Sequence, residues 1–362
     1  MRPLLLPNLR RLWRDTRTVQ LGTDPATAVV LEFDEPTTAR LLDLLDGTRT
    51  EHAIGVEAAA LGVDAETTRC LLDTLSQAGV VVGAHTLYPV GLPEATRRRL
   101  TGEVGALAIR RVRGAEPRAR PSDRTPADIL RRRSAARILV AGEGALVALI
   151  ASALAQAGVG HVDPAVDGTV SARDAVLGGL LHADTSRARS IATVEAVSRA
   201  APGVALSRLR ADAATFLVRV GARIPTALAA RGYRTSRVPR LTVVVRDGVV
   251  VIGPLVRPSD SPCGKCLDLH RTDRDPDWPV LATQLATAPE EAQACAVTTA
   301  LTAAAYAAEE VLSHVDGRVP RTRGATVEVV RPGELRRRTW PSHPGCDCGR
   351  RRRTLEAGTN DR

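Results

Sequence analysis

A chain of 362 residues has room for two domains and a sizeable core. Aromatic residues make up only 2% of it against 44% hydrophobic in all, so Leu, Val and Ala must fill the interior. The net charge of +10 is carried by arginine, Lys265 being the single lysine, which fits a codon bias toward Ala and Arg; a polyanionic or acidic-peptide partner is the sharper alternative. No apolar run approaches the ~20 residues that cross a bilayer. The N-terminus, MRPLLLPNLRRLW, holds three leucines between prolines, too few for a signal-peptide core. A cytoplasmic chain is expected, and in a reducing compartment its six cysteines point to metal where they cluster.

Residues 1–95 read as a small α+β module. Thr18–Leu21 and Ala28–Leu31 are predicted to pair as strands, and Thr37–Asp46 to form a helix with Leu41, Leu42, Leu44 and Leu45 inward and Gly47 at its end. An Ala-rich helix ends near Gly62. Asp64 then caps a third, carrying Leu71, Leu75 and Ala78, with Cys70 expected to be buried. Val80–Val82 closes the module as a strand. Strands, three helices and a closing strand match a winged-helix pattern. The segments LLDLLDGTRT and LLDTLSQAGVV resemble PqqD-like modules of ribosomal peptide maturation, which implies binding of a precursor (leader) peptide as an added strand. DNA is the competing ligand, but Ala65–Ala78 has only Arg69 against Glu66 and Asp73, far from a basic groove-reading helix, and nucleic acid is not expected.

Residues 96–135 are dense in arginine and broken by Pro117, Pro121 and Pro126, the composition of a solvated linker with a helical piece at Ala127–Ser134; a basic groove for peptide or nucleotide is the alternative. The chain is then organised by Ala136–Val170. Ile138–Val140 is a buried parallel strand, Gly142 and Gly144 make a tight turn, an Ala/Leu-rich helix runs to Gly158, and a second strand begins near Val162. This βαβ unit brings backbone N–H groups to a positive helix end, the arrangement that binds nucleotide phosphates. Val147 stands where GxGxxG has its third glycine.

Gly142, Gly144, Leu146 and Ala157–Gly160 resemble the ThiF/MoeB family, bacterial relatives of ubiquitin-activating enzymes, over roughly 136–349. The resemblance implies an α/β, Rossmann-type, mostly parallel sheet, ATP and magnesium as cofactors, paired subunits in a homo-oligomer, and adenylyl transfer to a carboxylate. Carried over position by position, it puts Val166, flanked by Asp167, at the ribose acid. Asp174 stands for a phosphate-contacting Asn, Leu177 for an Arg and Arg189 for a Lys. Phe216–Gly221 lacks the magnesium carboxylate. Adenylation residues are largely lost on this reading, leaving Gly142, Gly144, Asp167 and Arg189 as the cofactor-binding set.

The strongest local signal is Cys263-Gly-Lys-Cys266 with Cys346-Asp-Cys348, two close pairs that complete a tetrahedral zinc site; His343 could replace one sulfur. Four protein ligands make such a site structural. Ahead of it, Leu241–Val245 and Val249–Gly253 form a hairpin, and Thr326–Val330 a later strand. Cys295 is placed on an Ala-rich helix, with a sulfur-carrying role as the minor alternative. The tail 350–362, with Arg350–Arg353, reads as basic and disordered. GPLVRPSDSPCGKCLDLHRTDRDPDWPVL resembles actinobacterial ThiF-like proteins of modified-peptide clusters. That implies a scaffold that binds a leader peptide and serves a cyclodehydratase partner in azole/azoline formation. The alternative is an active ATP-dependent adenylyltransferase.

Overall fold

Turn and cap residues set the first elements as the sequence leads one to expect. The computed structural model describes residues 1–25, 27–112, 124–177, 179–221, 238–257, 261–287, 294–346 and 348. The chain divides into two compact units, Met1–Arg131 and Arg132–Arg362. In the first, β1 (Pro3–Leu5) and β2 (Arg11–Trp13) precede β3 (Thr18–Leu21) and β4 (Val29–Glu32). β2, β3 and β4 form an antiparallel sheet in that order. The predicted first helix is present as a 3₁₀ helix, Pro36–Leu44, which buries Leu41 and Leu42. α1 (Glu51–Ala60) is capped by Thr50, and α2 (Ala65–Gln77) by the Asp64 carboxylate, which accepts from the Glu66 and Thr67 amides. β5 (Val81–Gly83) returns antiparallel to β1. Beneath the three-stranded sheet, Val19, Leu21 and Leu31 pack with Leu42, Ile54 and Leu75.

Two expectations are corrected in this unit. Cys70 is exposed, because it lies two positions, about 200° of helix turn, from the inward Thr68. The arginine-rich stretch is not a solvated connector: α3 (Glu94–Arg99), α4 (Thr101–Val112) and α5 (Pro126–Ala135) occupy its described parts. Leu100, Val104 and Ala108 sit every fourth residue and are buried with Leu6, Leu87 and Leu130, while Arg110 and Arg111 of α4 are exposed. The expected helix at Ala127–Ser134 is α5.

The second unit is built on a seven-stranded sheet. β6 (Arg137–Gly142) leads into α6 (Ala145–Gln156) and β7 (His161–Val166), the predicted βαβ unit, with β7 parallel to β6. α7 (Arg189–Ala200) follows, then β8 (Phe216–Val220), β9 (Arg240–Arg246) and β10 (Val249–Val256). α8 (Gly264–Thr272), α9 (Trp278–Thr287) and α10 (Val297–Val315) precede the hairpin of β11 (Ala325–Arg331) and β12 (Glu334–Thr339). The strand order is β12-β11-β10-β9-β8-β6-β7. β7, β6, β8 and β9 are mutually parallel, and β11 runs the same way between antiparallel β10 and β12. This is a mostly parallel, Rossmann-type α/β sheet. Its core is aliphatic, as the scarcity of aromatics requires: Ile138, Val140, Ile150, Leu154, Val218 and Val243 meet the small residues Ala300, Ala303 and Ala307 of α10. Those alanines let α10 lie close against α6.

A buried ion pair anchors the start of this unit. Arg133 donates from Nε and Nη2 to both Asp316 oxygens at 2.9 and 2.8 Å and from Nη1 to the Ala157 carbonyl at 2.9 Å. Both side chains are 1% exposed. Cys295, expected within a helix, lies ahead of α10 and bridges Gly248. Residues 350–362 and Asp347 lie outside the described residues, and so does the expectation of a disordered tail. Among the described residues no helix is long and apolar enough to cross a membrane.

Candidate functional site

The turn between β6 and α6 has the shape its glycines imply, and the neighbouring strand accounts for one of them. Gly142 has φ +142, and a Cβ there would lie 1.7 Å from the Val220 carbonyl oxygen of β8. Only glycine lets the two strands come so near. Gly144, with φ +80 and ψ 175, opens α6, and nothing lies within 4 Å of the place its Cβ would take. Between them Glu143 donates its backbone N–H to the Val220 carbonyl at 3.2 Å. That commits one amide of the turn to the sheet, and the residue puts a carboxylate where the motif needs no charge. Val147, in place of the third glycine, is wholly buried in the core.

At the end of β7, Val166 is buried and Asp167 exposed. A strand alternates its side chains, so the acid one position on faces away from the core. What Asp167 offers inward is its carbonyl, which accepts from Arg189 Nη1 at 3.0 Å. The second contact of Arg189 decides the chemistry. Its Nη2 donates to Asp174 Oδ2 at 3.2 Å, and the same oxygen accepts from the Ser171 amide at 2.8 Å and the Ser171 hydroxyl at 3.0 Å. Amide, hydroxyl and guanidinium thus converge on one anion supplied by the chain itself. The pair is sheltered, with side chains 16% and 9% exposed. Arg189 Nε is buried with no partner among the described residues.

Arg187 is held in the same way. It donates to Asp184 at 2.6 Å and to Glu195 at 2.8 and 3.0 Å, and the two carboxylates, Glu195 first, hold its guanidinium firmly charged. Leu177 packs half-buried against the core, and β8 carries no carboxylate. Gly142 thus ends β6 and Gly144 opens α6, while Asp167 and Arg189 meet beyond the end of the neighbouring β7. The carboxylate that answers Arg189 escaped sequence reasoning as a functional feature, although Asp174 stood in view as a replacement for Asn.

The four cysteines do converge. Sγ of Cys263 lies 3.9 Å from that of Cys266 and 3.6 Å from that of Cys346, and Cys266 lies 3.3 Å from Cys348. All four fall within 4.8 Å of one another. A tetrahedral zinc with Zn–S of about 2.3 Å separates its sulfurs by about 3.8 Å, so the donor set fits that ion. Cys263 caps α8, and the Cys266 amide donates to its carbonyl at 2.9 Å, the tight turn that aims both thiols one way. Cys346 comes from 83 positions away. Without an ion the thiols compete for one negative charge: the Cys266 thiol lowers Cys263 to about 4, while burial pushes Cys346 up to about 11. A divalent cation would hold all four as thiolates.

His343 does not join the sulfurs. With His270 and Asp273 it forms a second group of potential ligands within 4.8 Å, but the hydrogen bonds fix both rings for another role. The Gly345 amide donates to His343 Nδ1 at 3.0 Å, which leaves the proton on Nε2, 2.9 Å from Asp273. His270 Nε2 donates to the Pro341 carbonyl at 3.0 Å. With the one lone pair of His343 engaged, the group is a buttress: it pins the segment that carries Cys346 to the end of α8.

No protein-family model matches the chain, and no curated protein is similar to it in sequence. Solved structures do share the fold. The microcin C7 biosynthetic enzyme MccB in complex with N-formylated MccA aligns with a TM-score of 0.64 over 96% of this chain and 100% of that one, at 11% identity. E. coli MccB with ATP gives 0.63 over the same shares at 10% identity. A heterocyclase in complex with substrate and cofactor gives 0.57 at 16% identity, covering 94% of this chain and 38% of that one.

Proposed function

We propose that the chain is a ThiF-like, ubiquitin-activating-enzyme-like protein of ribosomal peptide modification, acting as a leader-peptide-binding and docking scaffold for a cyclodehydratase. The folds it is similar to support this class: one was solved with a peptide and with ATP, the other is a heterocyclase. The peptide module would be residues 1–95. In its three-stranded sheet β2 and β4 each lack a second neighbour among the described residues, and Leu12, Trp13 and Val30 are exposed on them. Such an edge accepts an extended peptide as a further strand, with side-chain pockets selecting its sequence. The four cysteines hold structural zinc on this reading, with no open position for water.

One observation carries the scaffold reading over the enzyme: Arg189, the basic residue left in the nucleotide region, is neutralised by the chain's own Asp174. Phosphate transfer needs unpaired positive charge aimed at the substrate. Calorimetry of ATP with magnesium against the zinc-loaded full chain tests it. No saturable heat up to low millimolar ATP is expected, and binding to a panel of synthetic leader peptides should vanish when residues 1–95 are removed. Saturable heat together with exchange of pyrophosphate into ATP would establish the adenylyltransferase instead.

A further inference from the structure

The far edge of the large sheet carries a charged surface that neither the glycine turn nor the cysteine cluster uses. β12 is the last strand in the order, paired among the described residues with β11 alone, and Leu335–Thr339 are all exposed. Its sequence, ELRRRT, sets three arginines in a row. Arg336 and Arg338, two residues apart, share one face of the strand.

That face continues onto α8 and the turn after it. The buried ring of Trp340 has the guanidiniums of Arg271, Arg274 and Arg338 at 5.8, 5.5 and 5.7 Å from its centroid. Its indole N–H donates to Thr326 Oγ1 at 3.0 Å, so the ring itself is fixed. Among the described residues Arg274 and Arg338 have no carboxylate partner, and Arg336 shares Glu334 with Arg331. Arg271 is paired with Asp268 at 3.4 Å, while the ring holds Arg274 and Arg338 in place without neutralising them. An arginine ordered before binding loses less side-chain entropy when it meets an anion.

Charge on an edge strand commonly serves to keep sheets from pairing edge to edge. Here three arginines outweigh the single Glu334, and the positive excess repels a second copy of the same edge and leaves an acidic strand as the favourable neighbour. The Trp340 ring lies beneath the arginines and is only 5% exposed, so it offers no face for a nucleic-acid base to stack on. We propose that β12, with Arg274 and Arg338 set around Trp340, forms a docking edge for an extended acidic peptide segment of a partner protein. The segment adds as an eighth strand, with its carboxylates on the arginine face. The inference stands apart from leader-peptide binding by residues 1–95.

The test titrates the zinc-loaded full chain into a fluorescein-labelled synthetic peptide of alternating Glu and Val. Saturable anisotropy is expected, weakening as salt rises, with new hydrogen-exchange protection of Glu334–Thr339. The Arg336→Glu, Arg338→Glu double variant should bind at least about tenfold more weakly at unchanged zinc content. Arg336→Lys with Arg338→Lys should stay within a few fold of the parent, and the Gln pair stands in if charge reversal disturbs folding. The proposal is overturned if the acidic peptide does not bind, if a Lys-for-Glu peptide binds as well, or if the charge-reversed chain is unaffected. It is equally overturned if a single-stranded oligonucleotide competes the peptide off at lower concentration.

Discussion

Substituting the two glycines of the β6–α6 turn one at a time separates a turn shaped for the fold from a turn shaped for phosphate. In Gly142→Ala the new methyl would sit 1.7 Å from the Val220 oxygen and 2.6 Å from its carbonyl carbon. β8 would have to retreat by roughly 1.5 Å or more to restore ordinary contact. It is hydrogen-bonded to β6 on one side and β9 on the other, and it carries the buried Phe216, Val218 and Val220. Overpacking of that kind costs about 1–3 kcal/mol, and an L residue at φ +142 adds about 1–3 kcal/mol more. Gly144→Ala meets no atom within 4 Å and pays only the backbone strain of φ +80, ψ 175, about 1–3 kcal/mol. The expectation is a loss of about 4 kcal/mol for Gly142→Ala, roughly twice that for Gly144→Ala. Urea unfolding followed by circular dichroism at fixed zinc measures both. Equal losses, or a loss below about 1 kcal/mol at Gly142, would refute the assignment of that glycine to strand packing.

Four further outcomes follow from the same geometry. The chain should carry one zinc by elemental analysis, and chelation or Cys266→Ser should melt the segment around Cys346 while Cys295→Ser leaves the metal in place, because binding energy at such a site is folding energy. Arg133→Met should cost about 3–5 kcal/mol by taking both short bonds from the 1% exposed Asp316, whose longer contact to Arg318 at 3.6 Å remains, with much of the loss restored by a hydrophobic partner at 316, read by denaturant unfolding. Burial, with Arg257 and Arg132 adding to it, depresses His314 from 6.5 to about 4. The unfolded chain therefore binds the extra proton: stability holds above about pH 6.5, falls between there and about pH 4, and the slope should flatten in His314→Gln, checked by melting midpoints across pH. Asp174→Asn should free Arg189 and raise affinity for pyrophosphate by calorimetry; an unchanged titration would show that the guanidinium is not the limiting group.

Elements whose signals are local were legible. Asp64 and the short apolar runs of β3 and β4 act within a few residues, and the structure puts α2 and that sheet where those signals place them. The cysteines were legible because metal chemistry restricts their spacing so strongly. What escaped was long-range. α4 is helical because Leu100, Val104 and Ala108 find a core made by Leu6 and Leu87, which composition alone hides behind arginines. The Arg133–Asp316 pair spans 183 positions, and no sequence window joins them. The three-residue strands β1 and β2 are shorter than any periodicity can register, and each exists through the partner across from it.

On the proposed scaffold reading, an aspartate at 174 has a physical logic beyond the loss of a phosphate contact. A guanidinium 16% exposed, such as that of Arg189, is stable only beside an anion. In a nucleotide enzyme the substrate supplies that anion for part of each turnover, and solvent must serve in between. A chain that has no use for phosphate either loses the arginine or gives it a permanent partner. On that reading Asp174 is such a partner, fixed by the Ser171 amide and hydroxyl, and Arg187 has two, Asp184 and Glu195. Internal neutralisation also explains how the region keeps its cations without the pull on polyanions that unpaired arginines exert. Arg274 and Arg338 around Trp340 are among the described arginines of the second unit with no carboxylate partner, and an acidic partner could reach them there.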